Sequence, residues 1–195
     1  MLTPARQAQL DRLHEEGQAI DTRETIRAHK RLNVDPDIGR LLAMLAWFGR
    51  VGRVLEIGTS NGVSSIWLAA ALEDVGGRLF SIDVNPDKTN AARTNLAQAG
   101  LLELATLLTG DAAEVLAASA PDAYDLIFLD ADRSRYGDYW PDLRRVLRSR
   151  GLIVVDNALS HAEECQPFFD LVAATPGYRT LCLPLGKGGM LILKN

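Results

Sequence analysis

From residue 51 onward the chain alternates short apolar runs with helical patterns, and this rhythm constrains the fold more than any other feature. The runs are VGRVLEIG (51–58), RLFSID (78–83), ATLLTG (105–110), YDLIFLD (124–130) and GLIVVDN (151–157). Between and after them lie stretches with helical spacing at 62–73, 86–99, 112–119, 134–148 and 162–174. Strands that are apolar on both faces and separated by helices belong to a parallel sheet covered on both sides. The last two runs, YRTLCLP (178–184) and GMLILK (189–194), are joined only by LGKG. So short a link makes a hairpin, which sets the final strand antiparallel. Ahead of the sheet, residues 5–30 read as one helix, and a second begins after Asp35-Pro36, where proline is tolerated in the first turn. The expectation is an α/β fold: a Rossmann-like three-layer sandwich with a seven-stranded, mostly parallel sheet, an antiparallel last strand and extra N-terminal helices. No linker or repeat divides it. Residues 1–195 are expected to form a single domain, with helices in 1–48 and the sheet core in 51–195.

A chain of 195 residues buries roughly 70% of its unfolded surface. Its net charge of −4 speaks against a broad nucleic-acid surface. Cys165 and Cys182 have no metal-ligand spacing and fit a reducing compartment. The N-terminus is charged throughout, unlike a signal peptide, and no apolar run is long enough to span a bilayer. A cytoplasmic location without membrane contact is the expectation.

In an open α/β sheet, ligands sit beyond the carboxyl ends of the strands. Those ends here carry Glu56 and Gly58, Asp83, Gly110 and Asp111, Asp130 and Asp132, and Asp156 and Asn157. A lone acid at such a place is a helix cap or turn residue. Acids at all five ends point to a site. In LEIGTSNGVSS (55–65), Gly58 and Gly62 allow a tight turn and close approach of backbone to a ligand. The spacing is G-x-x-x-G, not the G-x-G-x-x-G of dinucleotide enzymes. Glu56, two positions before the first glycine, would repel a pyrophosphate and favour a cationic centre. Asp83 is placed for ribose hydroxyls. Ser64, in the first helical turn, could meet a carboxylate. A ribose and an amino-acid head without phosphate describe S-adenosylmethionine.

The segments LEIGTSNGVSSIWLA, SIDVNPDKTNAARTNLAQAG, GDAAEVL, YDLIFLDADRSRY and LIVVDNAL, in this order, resemble the class I S-adenosylmethionine-dependent O-methyltransferases, in particular the catechol and caffeoyl-CoA O-methyltransferase-like branch. The resemblance covers about residues 30–195. It implies that Glu56 and Gly58 line the methionine side of the cofactor, that Ser64 holds its carboxylate and Asp83 its ribose, and that Asp111 lies near the adenine. Asp130 would lie against both cofactor and acceptor, and Asn33-Val34 would belong to a segment closing over the site. It further implies that Asp130, Asp156 and Asn157 bind a divalent cation, Mg²⁺ first, with Ca²⁺ or Mn²⁺ as alternatives, and that two copies of the chain pair as a homodimer.

Three oxygen donors from two strand ends suit a hard cation, and a cation offsets the repulsion of paired carboxylates. A phenol has a pKa of roughly 10, and a chelated metal lowers it. The expected reaction is methyl transfer to a hydroxyl of a small catechol-like phenol, with Asp130, Arg133 and His161 as catalytic residues. Arg133 departs from the family pattern, which places a lysine there as proton acceptor. An arginine is not deprotonated in proteins, so Arg133 either stabilises an anion or makes a surface ion pair with Asp132 or a neighbour. His161 is the leading alternative base and Lys30 a third. Competing readings are a tRNA hydroxyl methyltransferase on the same scaffold, a dinucleotide-dependent oxidoreductase and a non-catalytic S-adenosylmethionine-binding protein.

Overall fold

A computed structural model describes residues 2–26 and 29–195. In chain order the elements are α1 (Pro4–Arg23), α2 (Pro36–Phe48), β1 (Arg53–Ile57), α3 (Val63–Val75), β2 (Arg78–Asp83), α4 (Pro86–Gln98), β3 (Ala105–Thr109), α5 (Ala112–Ala118), β4 (Tyr124–Leu129), α6 (Tyr136–Val146), β5 (Leu147–Val155), α7 (Ala162–Ala173), β6 (Tyr178–Leu183) and β7 (Gly189–Lys194). Short 3-10 turns precede β3 and α6. The strands form one seven-stranded sheet in the order β3-β2-β1-β4-β5-β7-β6. Only β7 runs against the others, hydrogen-bonded between β5 and β6, as the short LGKG link requires.

The period-two alternation of the strands divides the core into two layers. Val54, Leu126, Phe128 and Val154 face α1, α2, α3 and α4. Leu55, Ile57, Ile127, Leu129, Ile153 and Val155 face α5, α6 and α7. α3 is buried over most of its length, because it lies between the sheet and the N-terminal helices. The second layer is closed by an aromatic cluster. Phe168 meets the edges of Tyr136 and Trp140 with centroids 5.6 and 5.7 Å away.

Two boundaries differ from the sequence expectation. α1 ends at Arg23, not at residue 30. The Glu24 carboxylate accepts the N–H groups of Thr25 and Ile26, and Asp21 accepts those of Arg31 and Leu32. Acids that collect backbone donors in this way compete with helical hydrogen bonds, and the chain folds back. Residues 27 and 28 of the expected helix lie outside the described residues. β5 starts at Leu147, inside the expected helix 134–148, and its pairing with β4 is irregular between Tyr124 and Leu126. Leu147 is fully buried, and Arg150 takes a left-handed φ of 61°, so the strand bends through the arginine-rich segment before its apolar run. Among the described residues no helix is long and apolar enough to cross a membrane.

Phe168→Ala is expected to lower unfolding stability by about 3–5 kcal/mol, since it removes a fully packed ring. A urea titration followed by far-UV circular dichroism measures it.

Candidate active site

The sheet's carboxyl edge opens into a cleft of about 830 Å³. Its floor contains Gly58, Asp83, Gly110, Asp130, Asp156 and Asn157, and its rim contains Arg31, Asn33, Ser60, Lys88, Arg135, Tyr139, His161 and Lys187. β1 reaches the cleft through Gly58, which has φ 107°; a Cβ there would lie 2.1 Å from the carbonyl oxygen of Asp130. Only glycine tolerates both the torsion and the contact, so the tight turn predicted from sequence is also where β1 and β4 touch.

Glu56 lies beneath this turn. Its register partner is Ser81 on β2, and the hydroxyls of Ser65 and Ser81 both donate to its Oε2 at 2.5 Å. Thr59 extends the network to Ser81 at 2.7 Å. Burial raises the proton affinity of Glu56, and the hydroxyls of Ser64, Ser65 and Ser81 oppose the shift. Neither Glu56 nor Ser64 lines the open cleft; both are buried. Ser60, not Ser64, lines the cleft, with its hydroxyl donating to Arg31 O at 2.5 Å. Val34 is 4% exposed and packs in the helical layer, while its neighbours Leu32 and Asn33 reach the cleft.

Asp83 accepts N–H groups from Ser60 and Asn85, each at 2.9 Å. These anchor the carboxylate at the cleft floor. Asp111 caps α5 through Ala113 N–H and lies 3.4 Å from Arg135. The cap and the guanidinium hold its carboxyl below the usual range. Arg135 in turn lies over the Tyr139 ring, 5.3 Å from its centroid.

At the centre of the cleft, Asp130 follows β4 and Asp156 follows β5, side by side because Leu129 pairs with Val155. Asn157 has a left-handed φ of 63° and donates its amide to Asp130 Oδ1 at 3.0 Å. Asp156 Oδ1 is buried and makes no hydrogen bond. Burial first, then repulsion from Asp156, pushes the Asp130 carboxyl up to about 7. Burial likewise raises Asp156. Two carboxylates and an amide form a hard, oxygen-rich donor set with unspent negative charge, so these residues fit a divalent cation such as Mg²⁺. The set needs the Asn157 amide as third ligand: among the described residues, no group of three or more His, Cys, Asp or Glu side chains gathers around a metal position.

Arg133 is not the surface residue allowed by the sequence. Its side chain is 3% exposed, and it pairs with Glu164 at 2.9 Å, not with Asp132, whose carboxylate caps Ser134. The charge of Arg133 opposes the raised proton affinities of Asp130 and Asp156. His161 lines the cleft at the start of α7, with Nδ1 2.9 Å from Ser160 Oγ. Lys30 is not among the cleft-lining residues, whereas Arg31 is. Tyr136 secures the loop between these groups, accepting Ala131 N–H at 2.9 Å.

Sequence reasoning missed Glu164 and Lys187. Glu164 is 31 residues from Arg133, with no local signal joining them. Lys187 lies between glycines in LGKGG and reads as a turn.

The O-methyltransferase family profile matches residues 9–173. This chain belongs to the O-methyltransferase family. A putative O-methyltransferase of Mycobacterium ulcerans is 42% identical over 126 residues, 64% of this chain and 56% of that protein. A catechol O-methyltransferase of Niastella koreensis is 34% identical over 131 residues, 66% of this chain and 59% of that protein. The chain thus spans little more than half the length of these curated relatives. Among solved structures, an O-methyltransferase described as putative from Klebsiella pneumoniae superposes with TM-score 0.81 at 28% identity, covering 100% of this chain and 91% of that one. The Streptomyces achromogenes O-methyltransferase of tomaymycin synthesis, solved in complex with S-adenosylmethionine, gives 0.79 at 26% identity, covering 100% and 91%. The family match leaves the dinucleotide reading of the glycine loop without support.

The raised carboxyl of Asp130 gives this family member a testable pH dependence. An unfolded aspartate titrates near 3.9, and the folded one at about 7. The fold therefore favours the protonated form. That contribution is complete below the unfolded pKa and is lost as pH rises through the folded one. Without added metal, Asp130→Asn is expected to raise the melting temperature by several degrees at pH 8 and by less at pH 5, as scanning calorimetry at both values would show.

Proposed function

We propose that this protein is an S-adenosylmethionine-dependent O-methyltransferase that uses a divalent cation to act on a small catechol-like phenol. The observation that carries the reading is the convergence of Asp130, Asp156 and Asn157 in one cleft with Asp83. A carboxylate held by two backbone N–H groups suits a ribose diol, and the neighbouring oxygen-rich trio suits a chelated pair of phenolic oxygens. The cofactor reading is supported by the tomaymycin enzyme bound to S-adenosylmethionine, and the acceptor reading by the catechol O-methyltransferase of Niastella koreensis.

In this reading Asp83 accepts the ribose hydroxyls. Gly58 admits the cofactor against the turn, and Asp111, with Arg135 and Tyr139, bounds the adenine end. Glu56 and its hydroxyl network support the turn from below and supply negative charge beneath the sulfonium. Asp130, Asp156 and Asn157 would hold the cation, which when bound lowers the pKa of a coordinated phenol. Arg133, fixed by Glu164, presents a guanidinium, a poor proton acceptor, and stabilises the anionic oxygen without taking its proton. The proton goes to His161, a residue type suited to transfer near neutrality. The oxygen then forms its bond to the methyl carbon as the carbon–sulfur bond breaks, and neutral S-adenosylhomocysteine leaves. Holding both partners in line accounts for much of the acceleration.

We further propose a homodimer. Met44 and Phe48 on α2 are 68% and 86% exposed, and Trp47 beside them is about half exposed, an apolar face suited to a second copy. Light scattering after size exclusion is expected to give twice the chain mass, and Met44→Asp with Phe48→Asp to give the monomer.

The central test is methyl transfer from labelled S-adenosylmethionine to a catechol acid, with Mg²⁺ and with excess chelator. Transfer is expected with Mg²⁺ and lost with chelator. His161→Ala is expected to lower kcat about 100- to 10,000-fold and to alter the rate–pH profile. Transfer that survives chelation removes the metal role. Failure with phenols, joined to salt-sensitive tRNA binding, would favour the tRNA methyltransferase alternative; cofactor binding without any acceptor would leave a non-catalytic binding protein.

A further inference from the structure

Lys187, like Arg31 and Lys88, is a cleft-lining cation that the reaction above does not use. It stands at the tip of the β6–β7 hairpin, exposed, and among the described residues its ammonium makes no hydrogen bond or close ion pair. Its backbone, by contrast, is fixed. Lys187 O accepts the N–H groups of Leu159 and Ser160 at 3.1 and 2.9 Å, and Gly188 O accepts that of Ala158 at 2.9 Å. Gly188 has φ 95°, and a Cβ there would fall 2.5 Å from Leu159 N. The hairpin tip is therefore sewn to the segment between Asn157 and His161, and it cannot swing away without breaking three hydrogen bonds.

From that anchored position Lys187 lines the same cleft as both central carboxylates. Its charge favours the ionised forms of Asp130 and of Asp156. Other charged groups around the pair are Glu56, which repels Asp130, Arg133, whose charge is shared with Glu164, and Asp35, which caps α2, lies against Gly186 and repels Asp156. A flexible four-carbon stem on a fixed backbone lets the ammonium approach the pair when the pair is bare and withdraw into solvent when a cation arrives.

We propose that Lys187 is a tethered counter-ion of the Asp130–Asp156 pair, which competes with a divalent cation for that pair and so sets the affinity of the site for metal. The inference rests on the metal reading given under Proposed function. It concerns only the charge of Lys187 and requires no proton transfer from it. Such a device keeps the bare site from carrying two uncompensated carboxylates, and it makes metal binding weaker than the three ligands alone would give.

The test is calorimetric titration of Mg²⁺ into the wild-type protein, Lys187→Met, Lys187→Arg and Asp130→Asn, with Mn²⁺ binding followed by electron paramagnetic resonance as a second readout. At low ionic strength Lys187→Met is expected to bind about three- to tenfold more tightly than wild type, with the difference shrinking as salt is added. Lys187→Arg, which keeps the charge, is expected to stay within about twofold of wild type. Equal or weaker binding by Lys187→Met, with uptake abolished in Asp130→Asn, overturns the counter-ion role and leaves the metal site standing. No uptake by wild type or by Lys187→Met removes the metal reading and the counter-ion role together.

Discussion

The register of β4 against β5 governs this site. Leu129 pairs with Val155, so the next residues, Asp130 and Asp156, leave the sheet together. A slip of one residue would turn one carboxylate toward the opposite face. The register is held by apolar side chains that sit on alternate sides of the sheet, Phe128 and Val154 on one and Leu129 and Val155 on the other, all fully buried. The chemistry at the edge is thus positioned by packing beneath it. The same packing deprives the two aspartates of water, and this raises their proton affinities and makes a positive charge there favourable.

Glu56 shows how the fold treats a buried acid differently when the neighbours differ. It too is removed from solvent, but strand pairing places Ser81 beside it and the first turns of α3 bring Ser64 and Ser65 over it. Hydroxyls can donate to a carboxylate and can also accept from a protonated one, so this network tolerates either state. Glu56 Oε1 and Asp156 Oδ1 are both buried without a hydrogen bond, but only Asp156 lines the cleft, where an unmet acceptor leaves capacity for a ligand.

Most of the sheet was legible because strand positions depend on local apolar runs, and the antiparallel β7 followed from the length of LGKG. The acids at the strand ends were legible for the same reason: each directly follows its run. Side-chain direction was less accessible. Ser64 and Val34 are both buried, Ser64 beside Glu56 and Val34 in the helical layer, and neither orientation follows from sequence order. The end of α1 depended on Asp21 and Glu24 capturing backbone donors, and the start of β5 on a strand bend through arginines; neither has a periodic signature. The partners of Arg133 and Lys187 are brought together by α7 and by the last hairpin, so neither could be read from the neighbouring sequence.

Arg133 draws these threads together. A guanidinium with a nearly buried side chain carries a large desolvation cost, and a single pairing with an exposed carboxylate offsets only part of it. Arg133 also attracts Asp130 and Asp156, so the acids that destabilise one another also favour this cation. A guanidinium is a poor proton acceptor. In the proposed reaction two tasks often combined in one amine are separated: positive charge stays at Arg133, while proton acceptance falls to His161 at the start of α7, on the same segment that the Lys187 hairpin holds in place.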